Sequence, residues 1–237
     1  MSEAFWTDYS RHVANLMPPL VAGDGVPEAE IAAAEARLGL KLPALLREFY
    51  LVAGRREDIN AVHNRLLSPE SLEVDQDALV FYEENQGVVL WGIKVDDLSQ
   101  ADPQVFMAEY ASTLEWEPEH DHLSEFLISM LFWQAVNGGM PYHGIGVASS
   151  EAIAEATGWE TVNWSGGKHK NPVRLRDGQV LFIVGNDPGP EVYGGGRTRE
   201  DFLAVEKAFD ISWDYSTLDE EDESEEDEEN KDAENDE

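Results

Sequence analysis

Between Pro27 and Gly54 the apolar positions fall on two helical stripes separated by a short alternating run. Ile31, Ala34 and Leu38 recur at i, i+3 and i+7, with charged residues on the other side. Pro27 is suited to the first helical position, Glu28 and Glu30 suit the positive end of the helix dipole, and Gly39 follows the last periodic residue as a C-terminal stop. Leu40 and Leu42 then alternate about Lys41, and Pro43 opens a second helix. Its Leu45, Leu46, Phe49, Tyr50 and Ala53 share one face that ends at Gly54. Two amphipathic helices meeting at such an elbow need a sheet or a third helix to cover them.

The same periodicity predicts a helix over 4–16, where Phe5, Tyr9, His12, Val13 and Leu16 fall together and His12 reads as a packing residue. Residues 55–67 are charged and irregular, a loop with helical turns, and Ser68-Pro69-Glu70 reads as the start of a short helix. Strands are predicted over 78–83 and 88–93, joined by a Glu84-Asn85-Gln86-Gly87 turn, and 104–110 continues the sheet. The stretch 121–137 reads as the longest helix, with an apolar stripe broad enough to require burial on more than one side, stopped by Gly138-Gly139. Met140 to His143 reads as a turn. Beyond it follow a helix near 150–157, a strand near 160–164, a hairpin over 173–185 about Asp177-Gly178, and a last helix over 198–209. Thr198 caps that helix, and Phe202, Val205 and Phe209 form its inner face. No internal repeat of 20 to 50 residues is visible.

The order of acidic helix, LGLKLP elbow, LLREFY helix and glycine resembles the amino-terminal signature of the SUKH superfamily. These are the Smi/Knr-type domains of fungal cell-wall regulators and bacterial toxin-immunity proteins. A second block, LVFYEENQGVVLWGIK at 79–94, is similar to the family's strand, turn and Trp-Gly strand, so the resemblance spans roughly residues 25–135. It departs from the family at Ala53-Gly54-Arg55-Arg56, where many members carry an Asn-Gly-Gly type turn. The resemblance implies an α+β fold, a twisted, largely antiparallel sheet with helices packed on it. It also implies a non-enzymatic protein-binding module, either an immunity-type protein that neutralises a toxin by direct binding or a regulatory scaffold. The expected organisation is one SUKH-like domain over 1–218, extended from about 140, followed by an acidic tail over 219–237.

Charge sharpens the partner expected. The 237 residues carry a net charge of −33. Residues 219–237 hold fourteen carboxylates and one lysine, which leaves 35 carboxylates against 15 Lys and Arg, a balance of −20, for the rest. Such a field repels nucleic acid and anionic membranes and steers basic partners inward, or serves only solubility or life at high salt; joined to the toxin partner that the resemblance implies, it makes the expected partner a basic, nucleic-acid-targeting toxin domain. The tail has no apolar residue but Ala233 and is expected to be disordered. Without cysteine there are no disulfides or thiolate metal sites, and the amino terminus lacks the pattern of a secretory signal. The run FLISMLFWQAV at 126–136 is about half the roughly 20 residues of a membrane span. A cytoplasmic protein is expected.

Catalytic chemistry finds little to build on. His120 and His122, two apart beside Glu117 and Glu119, offer nitrogen and oxygen ligands to zinc and so a metal-dependent hydrolase. No HExxH spacing accompanies them, and Asp121 reads as an ordinary cap, which makes the two histidines surface residues at a helix start. Gly144-Ile145-Gly146 before a helix is a partial phosphate-binding fingerprint without its third glycine or a preceding strand. Gly166-Gly167-Lys168 lacks the rest of a P-loop, and Tyr193-Gly194-Gly195-Gly196-Arg197 reads as a linker. No cofactor is expected. For the partner face, Glu83 and Glu84, entering the turn, are expected to project to solvent together with Trp91, for which a place in the core is the equal alternative.

Overall fold

The computed structural model describes residues 2–111, 113–166, 169–185 and 189–219, with the backbone alone at 2 and 163–171. Helix α1 (Ser2–Leu16) leads into α2 (Glu28–Leu38) and α3 (Ala44–Ala53), the two arms of the elbow. Each proline stands one position outside its helix. Pro27 (φ −56°, ψ 137°) and Pro43 (φ −51°, ψ 144°) have the fixed φ of the ring but an extended ψ, and their carbonyls accept the first helical N–H groups. Gly39 closes α2 in the left-handed conformation (φ +70°). The predicted inner face of α3 is buried at all five positions. On α2 the stripe holds one residue that hydropathy omits: Glu35 is 3% exposed. Its carboxylate accepts the Leu42 N–H at 3.1 Å and the Lys41 ammonium at 2.6 Å, tying the elbow to the helix before it.

After the one-turn helix α4 (Glu57–Asn60) come β1 (Arg65–Leu66), β2 (Glu73–Asp75), β3 (Ala78–Glu83), β4 (Val89–Lys94), β5 (Val105–Glu109) and β6 (Glu117–His120). They form an antiparallel sheet in the order β1-β3-β4-β5-β6, with β2 pairing β3 beyond β1. The short helix expected at Ser68 is a turn instead, closed by the Ser71 and Leu72 N–H groups on the Ser68 carbonyl.

Helix α5 (Leu123–Gln134) follows, then a π turn, Ala135–Gly139, in which Gly138 (φ +113°) leaves the helical region. The π turn divides the long apolar stretch, so α1 and not α5 is the longest helix. The expected two-sided burial of α5 is present. Phe126 packs against Phe81, Tyr82 and Trp91 of the first sheet, while Trp133 packs against residues of a second sheet, Phe182 and Tyr193.

That second sheet is built by β7 (Tyr142–Val147), β8 (Glu160–Gly166), β9 (His169–Arg176), β10 (Gln179–Val184), β11 (Glu191–Gly196) and β12 (Ser212–Ser216). Its order is β12-β7-β11-β10-β9-β8, all antiparallel. Along β10 the faces alternate: Val180 and Phe182 enter the core around α5, and Leu181 and Ile183 pack under α7 (Arg199–Phe209). The region from about 140 thus supplies a second six-stranded sheet that shares the core of the first. The fold class is α+β, with the expected antiparallel strands divided between two sheets. Two stretches expected as turn or linker are central strands. Tyr142 and His143 open β7, and Gly194 to Gly196 lie in β11. A Cβ on Gly194 would stand 2.5 Å from the Trp213 ring, and one on Gly196 would stand 2.3 Å from the Phe202 backbone nitrogen. Bare backbone there is what lets β12 and α7 lie close. α6 (Ser150–Glu155), capped by Ser149, and the capping box of Thr198 and Asp201 on α7 complete the second half.

Candidate partner-binding surface

The β3–β4 turn is fixed by its own first carboxylate. Glu84 donates its N–H to the Val89 carbonyl at 2.8 Å, and its Oε2 accepts the N–H groups of Gln86 at 2.9 Å and Val88 at 3.3 Å. Gly87 supplies the left-handed residue (φ +70°). Glu83 pairs with Arg65 across the β1–β3 ladder. Both glutamates are only partly exposed, and Trp91 lies deeper than either. It is 7% exposed, with its ring 5.9 Å from Tyr82 and 5.8 Å from Phe126. The reason is register: Trp91 pairs with Tyr82, on the β3 face that α5 covers.

Two residues not singled out by the sequence take its place. Val88 is 52% and Tyr110 72% exposed, and the Tyr110 N–H donates to the Val88 carbonyl at 2.8 Å, so they stand side by side where β4 and β5 meet the turn. Glu109, exposed, precedes Tyr110, and exposed Asn85 to Gly87 form the turn itself. The result is a small apolar pair with an aromatic ring, bordered by Glu84 and Glu109. The available signal was an apolar residue continuing past each end of a strand's alternation.

The histidine pair is separated. His120, in β6, is 1% exposed, its ring 5.4 Å from that of Phe126 and its Nε2 3.3 Å from Ser129 Oγ. Burial pushes its pKa down to about 4. His122 is exposed at the N-cap of α5, so only one of the two is the surface residue expected. Strand alternation put His120 inward, and Asp102 rather than Asp121 caps the helix, accepting the Ser124 N–H at 2.8 Å and hydroxyl at 2.7 Å. Among the described residues no group of three or more His, Asp or Glu is placed to hold a metal ion. Gly144 and Gly146 lie within β7 and form no phosphate-binding loop. Gly167 and Lys168 lie outside the described residues, as do 220–237 of the acidic tail.

Residues 25–129 match the SMI1 / KNR4 family (SUKH-1). This segment belongs to the SUKH superfamily. The SUKH segment holds the elbow, the whole first sheet, the Val88–Tyr110 pair and the first part of α5. No curated protein and no solved structure matches the chain. Among the described residues no helix is long and apolar enough to cross a membrane.

Proposed function

We propose that this chain is a non-enzymatic protein-binding module of the immunity type, which neutralises a basic, nucleic-acid-targeting toxin by direct binding. The observation that carries the reading is the exposed Val88–Tyr110 pair within the SUKH segment, bordered by Glu84 and Glu109. Interfaces draw most of their energy from a few central residues, aromatic ones above all, inside a polar rim. A toxin that handles phosphates presents a basic groove, and the net charge of −33 favours encounter with such a groove.

The experiment is recovery of the protein from its native cell at moderate salt, followed by identification of what is retained and assay of its activity with and without the chain. A stoichiometric, basic nuclease or deaminase whose activity is blocked supports the reading. Tyr110→Ala combined with Glu109→Lys should then weaken the complex by well over tenfold. Many weakly held cellular partners, with none inhibited, would favour the regulatory scaffold and overturn the immunity role.

A further inference from the structure

Six of the described arginines, Arg11 and Arg197 among them, each meet a carboxylate. Among the described residues, Arg174 and Arg176 of β9 have no such partner. Arg174 is half-buried; its Nη1 donates to Thr161 Oγ1, and its Nε is enclosed without an acceptor. Arg176 is exposed, its guanidinium 5.3 Å from the centre of the Trp159 ring, which in turn stands 4.8 Å from that of Phe209 on α7. The adjoining acids are engaged by other cations, Glu160 by Arg11 and Asp177 by Arg197. Two apart on one strand, the arginines share a face of the sheet. They form a pair of uncompensated cations beside an indole, in a chain of net charge −33.

Reach decides what can neutralise them. The register sets Arg174 opposite Leu181, Leu181 opposite Gly194, Gly194 opposite Gly144, and Gly144 opposite Ser216. Arg174 and Ser216 therefore stand in one row across the sheet, four strand spacings or about 19 Å apart. The Ser216 hydroxyl donates to Asp219 at 2.8 Å, so the chain beyond 219 sets out from the end of that row. Residues 220–237 hold thirteen carboxylates and one lysine. A coil of that length has a root-mean-square span of about 23 Å. Its extended reach of about 60 Å is enough to pass around α7, which packs over Leu181. A tether whose span matches the separation holds its end at an effective concentration on the order of millimolar. An untethered anion must instead approach against the field of the whole chain.

We infer that Arg174 and Arg176 are the docking site of this chain's own acidic tail, residues 220–237. Carboxylates of the tail meet the two guanidiniums in charge-assisted hydrogen bonds, one of them on a partly desolvated cation where such bonds are strongest. Two arginines engage only a few of the thirteen carboxylates, so most of the tail's charge stays free to meet a basic partner, and the inference is independent of the toxin reading. Because the chain has no cysteine, Ala233→Cys gives one site for a nitroxide on the full-length protein. The expected result at low salt is broadening of the amides of residues 173–177 and of the Trp159 indole N–H, beyond that of the rest of the sheet. It should vanish in about 1 M salt, where the Debye length is about 3 Å. Arg174→Gln with Arg176→Gln should abolish it too. If that variant fails to fold, exchanging the carboxylates at 220–229 for amides tests the same contact without touching the sheet. Broadening that survives either change, that centres on other cations, or that is absent at low salt would overturn the inference. So would a single-stranded oligonucleotide that shifts amides 173–177 of a chain ending at Asp219 where a synthetic 220–237 peptide at equal concentration does not, since the pair would then be a phosphate site.

Discussion

Glu35 and Glu119 are two enclosed carboxylates with opposite fates. Burial alone would push the Glu35 pKa up, but Lys41, the Leu42 N–H and Arg47 outweigh it and hold the group below its ordinary value. Glu119, in β6, has only the burial, which pushes it up to about 6. The signs of their contributions differ accordingly. Glu35 stabilises the fold above its unfolded value and loses that contribution as pH falls. Glu119 costs nothing below its unfolded value near 4.5, and the cost of burying its charge appears as pH rises through about 6. Glu119→Gln should therefore match the parent in denaturant melts at pH 4 and exceed it at pH 7. The gain is on the order of 1 kcal/mol once partial exposure is discounted. A gain equal at both pH values would mean that packing and not charge sets the effect.

At the scale of elements, legibility followed how local the cause is. The elbow, α3, α7 with its Thr198 cap, and the two hairpins about Gly87 and Gly178 were readable because a stripe, a cap or a turn residue dictates each from within its own few residues. β7 and β11 were not, because Gly144, Gly146 and Gly194 to Gly196 carry no side chains to make an alternating pattern. What makes them strands is Trp213 and Phe202 arriving from elsewhere in the chain. The proposed partner face shows the same limit: the turn that Glu83 and Glu84 enter was readable from its own residues, but the burial of Trp91 depended on where α5 would lie. Gly196→Ala tests the close approach. Its methyl group has no room beside the Phe202 backbone, so α7 must lift from β11, at a cost of about 1–3 kcal/mol in a denaturant melt. The same change at Gly158, where no atom lies within 4 Å of an added Cβ, involves no such collision and separates crowding from backbone strain (φ +77°).

For the molecule as a whole, charge and cohesion act over different distances. The carboxylates beyond Asp219 lie on a stretch whose composition offers no core, so a chain ending at Asp219 should melt as the full chain does. Its association with a basic partner should be slower at low ionic strength, with the difference shrinking as the Debye length falls to about 8 Å at physiological salt. An unchanged association rate with much faster dissociation, in stopped flow, would mean direct contacts instead of steering. Cohesion has a more abrupt limit. The SUKH match stops at residue 129, midway along α5, while Leu131, Phe132, Ala135 and Val136 beyond it are each at most 1% exposed, and Phe132 meets His12 of α1. A cassette cut at 25 and 129 would be severed through its own keystone, with half of α5, all of α1 and the second sheet left behind. Expressed alone it should show helical and strand signals without a sharp melt, whereas a chain of 1–219 melts cooperatively. The piece that can be transplanted between proteins is therefore larger than the piece that can be recognised.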